Sequence, residues 1–114
     1  MTEANKIQAW SRNSGYNNIT NPTTINDGVW RHFVAVIDRS QNAANEIKFY
    51  ENGVLMTVTK QHSVDNSNNF VNNILFIGQR AGNASGFIGS LTRYKTYNYP
   101  LTPTEVTNLY NSEV

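Results

Sequence analysis

The chain has 114 residues, 39% hydrophobic and 15% charged, with a formal net charge of +1 and no Cys. That length suits one domain around one core, the lack of Cys excludes disulfides and thiolate metal sites, and scattered Lys and Arg leave no basic footprint for nucleic acid. Asn, Thr and Ser fill the place of missing charge, no apolar stretch approaches a membrane span, and Met1 to Lys6 lacks the apolar core of a signal peptide, so the chain is exported another way, acts inside the cell that makes it, or is cut from something larger.

In chain order, Ile7-Gln8-Ala9-Trp10 alternates as a strand does, and Ser14 to Thr24 is an Asn/Thr/Ser/Gly stretch of turn-forming residues. Asp27-Gly28 makes a turn. Val29 to Asp38 carries apolar residues on both sides: Trp30, Val34 and Val36 on one, Phe33, Ala35 and Ile37 on the other. Such a strand is buried on both faces and belongs in mid-sheet. Arg39 to Asn45 is a polar loop. Glu46 to Tyr50 and Val54 to Thr59 flank Glu51-Asn52-Gly53, and Asn-Gly supplies the two positive φ angles of a type I′ hairpin turn.

Residues 60 to 72 form a second polar stretch. Ile74-Leu75-Phe76-Ile77 reads as a short buried strand stopped by Gly78. Gln79 to Gly86 is a loop, and Phe87 to Tyr97 is a last long strand in which Gly89 permits close backbone approach. Thr102-Pro103-Thr104-Glu105 is a capping box with Pro at the first helical position. Val106, Leu109 and Tyr110 then give one apolar stripe. Residues 1–28 are thus a loosely defined strand and loop, 29–101 hold the sandwich strands, and 102–112 form a capped helix of a single domain.

These motifs occur in a recognisable order: Trp30-x-His32 with Val34-Ala35-Val36, Phe49-Tyr50-x-Asn52-Gly53, Ile77-Gly78, Phe87-x-Gly89-x-Leu91, and Tyr97-Asn98 through Leu101-Thr102, Glu105-Val106 and Leu109-Tyr110. The order resembles the laminin-G-like domains of the concanavalin-A-like lectin/glucanase superfamily, from about Asp27 to Asn111. The resemblance implies an all-β antiparallel sandwich, a jelly roll with one short C-terminal helix. It also implies more strands before Trp30 than 28 residues supply. On that reading the chain is a short form, completed by another copy or a neighbouring subunit.

The glucanase branch implies clustered carboxylates on one strand, and glycoside hydrolysis needs two of them roughly 5 to 10 Å apart. Glu3, Asp27, Asp38, Glu46, Glu51, Asp65, Glu105 and Glu113 show no such pattern, so no enzyme is expected. His32 reads as a packed core histidine beside Trp30, and His62 as a solvated loop residue. What the resemblance implies most is a binding module of lectin type for glycans or a partner protein, at an extracellular, cell or virion surface.

Candidate ligand contacts are Trp10, Arg12, Tyr16, Asn66, Asn68, Asn69, Arg80 and Asn83, because sugars need aromatic platforms beside planar polar groups. Calcium in a rim loop would draw on Asp65, Asn66 and Asn68, whose hard oxygens suit that ion. The alternative is a structural or decoration subunit of a virion or other assembly. The sequons Asn18-Ile19-Thr20 and Asn83-Ala84-Ser85 permit glycosylation in a secreted eukaryotic protein.

Overall fold

The structure, a computed structural model, describes residues 5–12, 16–62, 70, 75–78 and 86–113. Among these run β1 (Gln8–Arg12), β2 (Tyr16–Thr20), β3 (Phe33–Ile37), β4 (Ile47–Glu51), β5 (Val54–Leu55), β6 (Thr59–His62) and α1 (Pro103–Glu113). Two antiparallel sheets form, ordered β1-β2-β6 and β3-β4-β5. The first covers one face of the second, and α1 covers the other.

The sequence pattern explains both layers. On the inner side of the first sheet, Ala9 lies opposite Ile19. Ile19 packs with Ile47 and Phe49, and Ile7, Phe33, Ile37, Met56 and Val58 extend that core. The alternate side chains of the second sheet, Val34, Val36 and Tyr50, meet Val106 and Leu101 under the helix. Val106 is 0% exposed. β3 and β4 therefore carry apolar residues on both faces because each face meets a different layer.

Two local motifs form as expected. Asn52 and Gly53 take φ of 49° and 78°, and Glu51 pairs with Val54 across the two-residue turn. Gly53 is needed twice, since a Cβ there would also stand 3.1 Å from Cδ1 of Tyr110. In the capping box, the Thr102 amide donates to Glu105 Oε2 at 2.8 Å, and the Glu105 amide donates to Thr102 Oγ1 at 3.2 Å.

Several elements differ from expectation. The Asn-rich segment expected as turns is β2, the central strand of its sheet. Its amides prefer local backbone bonds in isolation. Here they lose that competition to two ladder partners and to side-chain partners: Asn17 donates to Glu46, and Asn18 Nδ2 to Gln61 Oε1 at 3.5 Å. Asn18 is consequently buried in a strand, which is no acceptor site for a glycan.

The run expected as one strand from Val54 to Thr59 is split. Met56 donates its amide to the Phe49 carbonyl at 2.9 Å. The chain then crosses to the other sheet, where β6 pairs with β2. β3 is a sheet edge rather than a mid-sheet strand among the described residues, and Trp30 lies outside it, 67% exposed.

Leu75, Phe76 and Ile77 are exposed and in no strand, with Ile74 outside the described residues. Phe87 to Tyr97, expected as the last strand, is in no ladder either. Arg93 interrupts it with a left-handed φ of 55°, a conformation that breaks strand geometry. The Phe87 ring does lie close over Gly89, where a Cβ would meet its Cζ at 2.7 Å.

Candidate functional site

Because side chains alternate along a strand, the register of the first sheet decides which residues share its outer face. Gln8 lies opposite Thr20, Trp10 opposite Asn18, and Arg12 opposite Tyr16. Asn18 lies in turn opposite Gln61, and Thr20 opposite Thr59. One face thus gathers two aromatic positions, one basic position and a row of amides and hydroxyls.

The rings of Trp10 and Tyr16 stand 6.4 Å apart, centroid to centroid, at 33°. They are 40% and 38% exposed. Behind them the polar row is tied together. Trp10 Nε1 donates to Gln8 Oε1 at 3.2 Å, and Gln8 Nε2 donates to Thr20 Oγ1 at 2.9 Å. These bonds hold the indole and the amide in fixed rotamers. The face therefore offers two partly open rings on a hydrogen-bonded amide bed, which a planar ligand with hydroxyl groups on its edge would match.

The inner face of the same strands anchors that platform with charge. Glu46 is 1% exposed and accepts hydrogen bonds from Asn17 Nδ2 and from Ser11 Oγ, the latter at 3.4 Å. Arg39 places Nε 3.4 Å from Glu46 Oε1 and donates from Nη2 to Ser11 Oγ at 2.8 Å. Its guanidinium also lies 4.3 Å from the centroid of the Phe70 ring. The network joins β1 and β2 to the residues at each end of the β3–β4 loop. It fixes how the hairpin sits on the second sheet.

Of the expected ligand residues, the structure brings Trp10, Arg12 and Tyr16 onto one face. Asn66, Asn68, Asn69, Arg80 and Asn83 lie outside the described residues, as does Asp65 of the expected calcium loop. Gln8, Asn18 and Gln61 complete the face and were not singled out from the sequence. The Gln8-Trp10-Arg12 alternation carried a signal for the first of them. Asn18 joins through the β1–β2 register, and Gln61 through the pairing of β2 with β6, a contact across some forty residues.

The carboxylates within the described residues are engaged elsewhere. Asp27 holds Arg31 through two bonds of 2.8 and 2.6 Å, and that guanidinium keeps its carboxyl well below the usual range. Glu51 accepts from Thr23 Oγ1 at 2.9 Å and lies 3.6 Å from Arg31. Asp38 accepts from the Ser40 hydroxyl at 2.6 Å. Glu113 binds Lys95, and that contact lowers its pKa. Among the described residues no three His, Asp or Glu side chains come together as a metal site, and no helix is long and apolar enough to cross a membrane.

His32 packs on Tyr110, with ring centroids 5.7 Å apart, rather than on Trp30. Its Nδ1 is buried and meets no partner among the described residues. Desolvation pushes its pKa below the ordinary 6.5.

A second, open groove of about 380 Å³ runs beside α1 between Tyr97, Tyr99, Leu101 and Leu109. It collects aromatic residues but lacks the bonded amide row of the first sheet.

The family model that matches this chain is described as the concanavalin A-like lectin/glucanases superfamily, and the match spans residues 1–107. It takes in the N-terminal hairpin, which the motif order from Asp27 onward does not reach. No curated protein and no solved structure matches the chain.

Proposed function

Since the chain belongs to the concanavalin A-like lectin/glucanase superfamily, we propose that it is a non-catalytic binding module of lectin type that recognises glycans through the outer face of the β1-β2-β6 sheet. One observation carries this reading. Trp10 and Tyr16 stand side by side and partly open on a sheet whose neighbouring side chains are amides and hydroxyls. A pyranose has an apolar face for the rings and equatorial hydroxyls for Gln8 and Gln61. An extracellular or surface setting fits such a ligand.

The test is a glycan array with the wild-type chain and the Trp10→Ala/Tyr16→Ala variant. Each ring is worth about 0.5–1.5 kcal/mol of stacking, so the pair should weaken binding roughly fivefold to a hundredfold. Both rings are partly exposed, so the melting profile should be retained. An array silent for the wild-type chain, or a double variant that binds as the wild type does, would overturn the assignment.

A second reading, a structural or decoration subunit of a larger assembly, is favoured by a different observation. Val29, Trp30, Val54, Leu55, Ile88 and Leu91 are all exposed, with Ile88 at 99%. Patches of that kind mark interaction surfaces.

A further inference from the structure

Asn52 and Gly53 carry a chemistry besides the turn they make, and we propose that Asn52 is a site of self-modification, converted to isoaspartate by its own neighbour when the β4–β5 turn lets go of His32. The inference goes beyond glycan recognition and stands whatever the Trp10 face binds.

The sequence sets the reacting pair. Asn side chains are thermolabile, and the group that attacks them is the backbone nitrogen of the next residue. A side chain on that residue obstructs the approach, and glycine has none. Asn52 is the one Asn in the chain that Gly follows. It is also exposed, so water and hydroxide reach it.

The reaction needs only base and water. Base takes the proton from the Gly53 nitrogen, which then bonds to Cγ of Asn52. The Cγ–Nδ2 bond breaks, and the amide leaves as ammonia. The resulting succinimide takes up one water. Opening at Cγ gives aspartate. Opening at the main-chain carbonyl leaves Gly53 bonded to Cγ, which is isoaspartate, with one extra carbon in the backbone.

The fold supplies the gate. Asn52 is clamped twice to His32, the residue that leads into β3. Its amide donates to the His32 carbonyl at 2.8 Å, and its Oδ1 accepts from the His32 amide at 2.9 Å. The second bond turns the carboxamide towards β3, so attack by Gly53 requires its release. Tyr110 covers the other partner, since a Cβ at Gly53 would stand 3.1 Å from Tyr110 Cδ1. The same ring packs on the His32 imidazole, with centroids 5.7 Å apart. Turn, His32 and helix end therefore hold one another closed.

The product cannot rebuild the clamp. The φ angles of 49° and 78° at Asn52 and Gly53 fit a two-residue turn between Glu51 and Val54. Isoaspartate lengthens that turn by a backbone carbon and adds a negative charge. Aspartate keeps both the backbone length and an oxygen for the His32 amide. Isoaspartate should thus loosen the seat of Tyr110, whereas aspartate should preserve it.

The test is to incubate the chain at mildly alkaline pH, folded and in urea, and to locate amide loss and isoaspartate by peptide mass mapping. Asn52 should convert before any other Asn, and faster as the pH rises. Two hydrogen bonds of ordinary strength hold the turn, so the folded chain should convert at least about tenfold more slowly than the unfolded one. Tyr110→Ala, shown to be folded by circular dichroism, should convert at least about threefold faster than the wild type, because the turn then opens locally.

If that variant fails to fold, wild-type rates in urea below the unfolding midpoint serve instead, and they should already rise. Earlier conversion at another Asn, or equal rates in the folded and unfolded chain, would overturn the proposal. So would a folded Tyr110→Ala variant that converts at the wild-type rate, or a rate in urea that follows global unfolding alone.

Discussion

Glu46→Ala tests the buried network that seats the β1–β2 hairpin. In the native chain the Glu46 and Arg39 side chains are 1% and 3% exposed. The carboxylate also collects hydrogen bonds from Asn17 and Ser11. Its removal breaks this buried ion pair, which costs about 3–5 kcal/mol. A domain has only about 5–15 kcal/mol in total, so the variant should lose a large fraction of its stability. With about 4–8 °C of melting temperature per kcal/mol in a small domain, the midpoint should fall by roughly 12–40 °C.

Replacing both partners, as in Arg39→Met/Glu46→Leu, removes the desolvated charge altogether. Such swaps are often neutral or stabilising by about 1–4 kcal/mol. Here the loss of the Arg39–Phe70 contact would offset about 0.5–2 kcal/mol of that. The double variant should therefore melt well above the single one. Urea and thermal unfolding followed by circular dichroism measure both. A single variant that loses less than about 1 kcal/mol, or a double variant no better than the single, would refute the assignment of the network as the seat of the hairpin.

Two further outcomes are expected. Burial depresses the His32 pKa, with Glu113 opposing and Lys95 adding to the effect, while the Tyr110 ring packs on the imidazole. The unfolded chain therefore takes up the proton first, so the His32 contribution is present above about pH 6.5 and is lost as the pH falls below it. Urea midpoints from pH 5 to 8 should show that slope, and His32→Gln should flatten it. An unchanged slope in the variant would remove His32 as its source.

Gly53→Ala forces a Cβ into a φ of +78° and against the Tyr110 ring. It should cost about 1–3 kcal/mol. Thermal melts check it, and a loss confined to a few tenths would show that the turn relaxes freely.

What could be read from the sequence was chiefly local. The Asn52-Gly53 turn, the Thr102–Glu105 box and the Val106 stripe depend on neighbours within four residues, and each forms as read. The double-sided apolar pattern of Val34, Ala35 and Val36 correctly implied two packing layers. It could not say which strands lie alongside.

β2 was missed because Asn17 and Asn18 advertise turns. Their strand state depends on Glu46 and Gln61, which a local reading cannot reach. The same distance hid half of the candidate site. Trp10, Arg12 and Tyr16 were readable as ligand-type residues. Only the β2–β6 register adds Gln61 to their face.

The crossing at Met56–Val58 also bears on how the protein is made. β2 sits at the centre of its sheet, yet it leaves the ribosome well before β6, its second neighbour. Thr20 waits for Thr59, and at about 5–20 residues per second that is roughly 2–8 s of synthesis. A lone two-stranded hairpin is marginal in water, so during that interval the nascent β1–β2 pair has one bare side and no second sheet beneath it. Slower translation after Thr20 would lengthen the interval, and that is the stretch in which a nascent-chain chaperone would matter most to this chain.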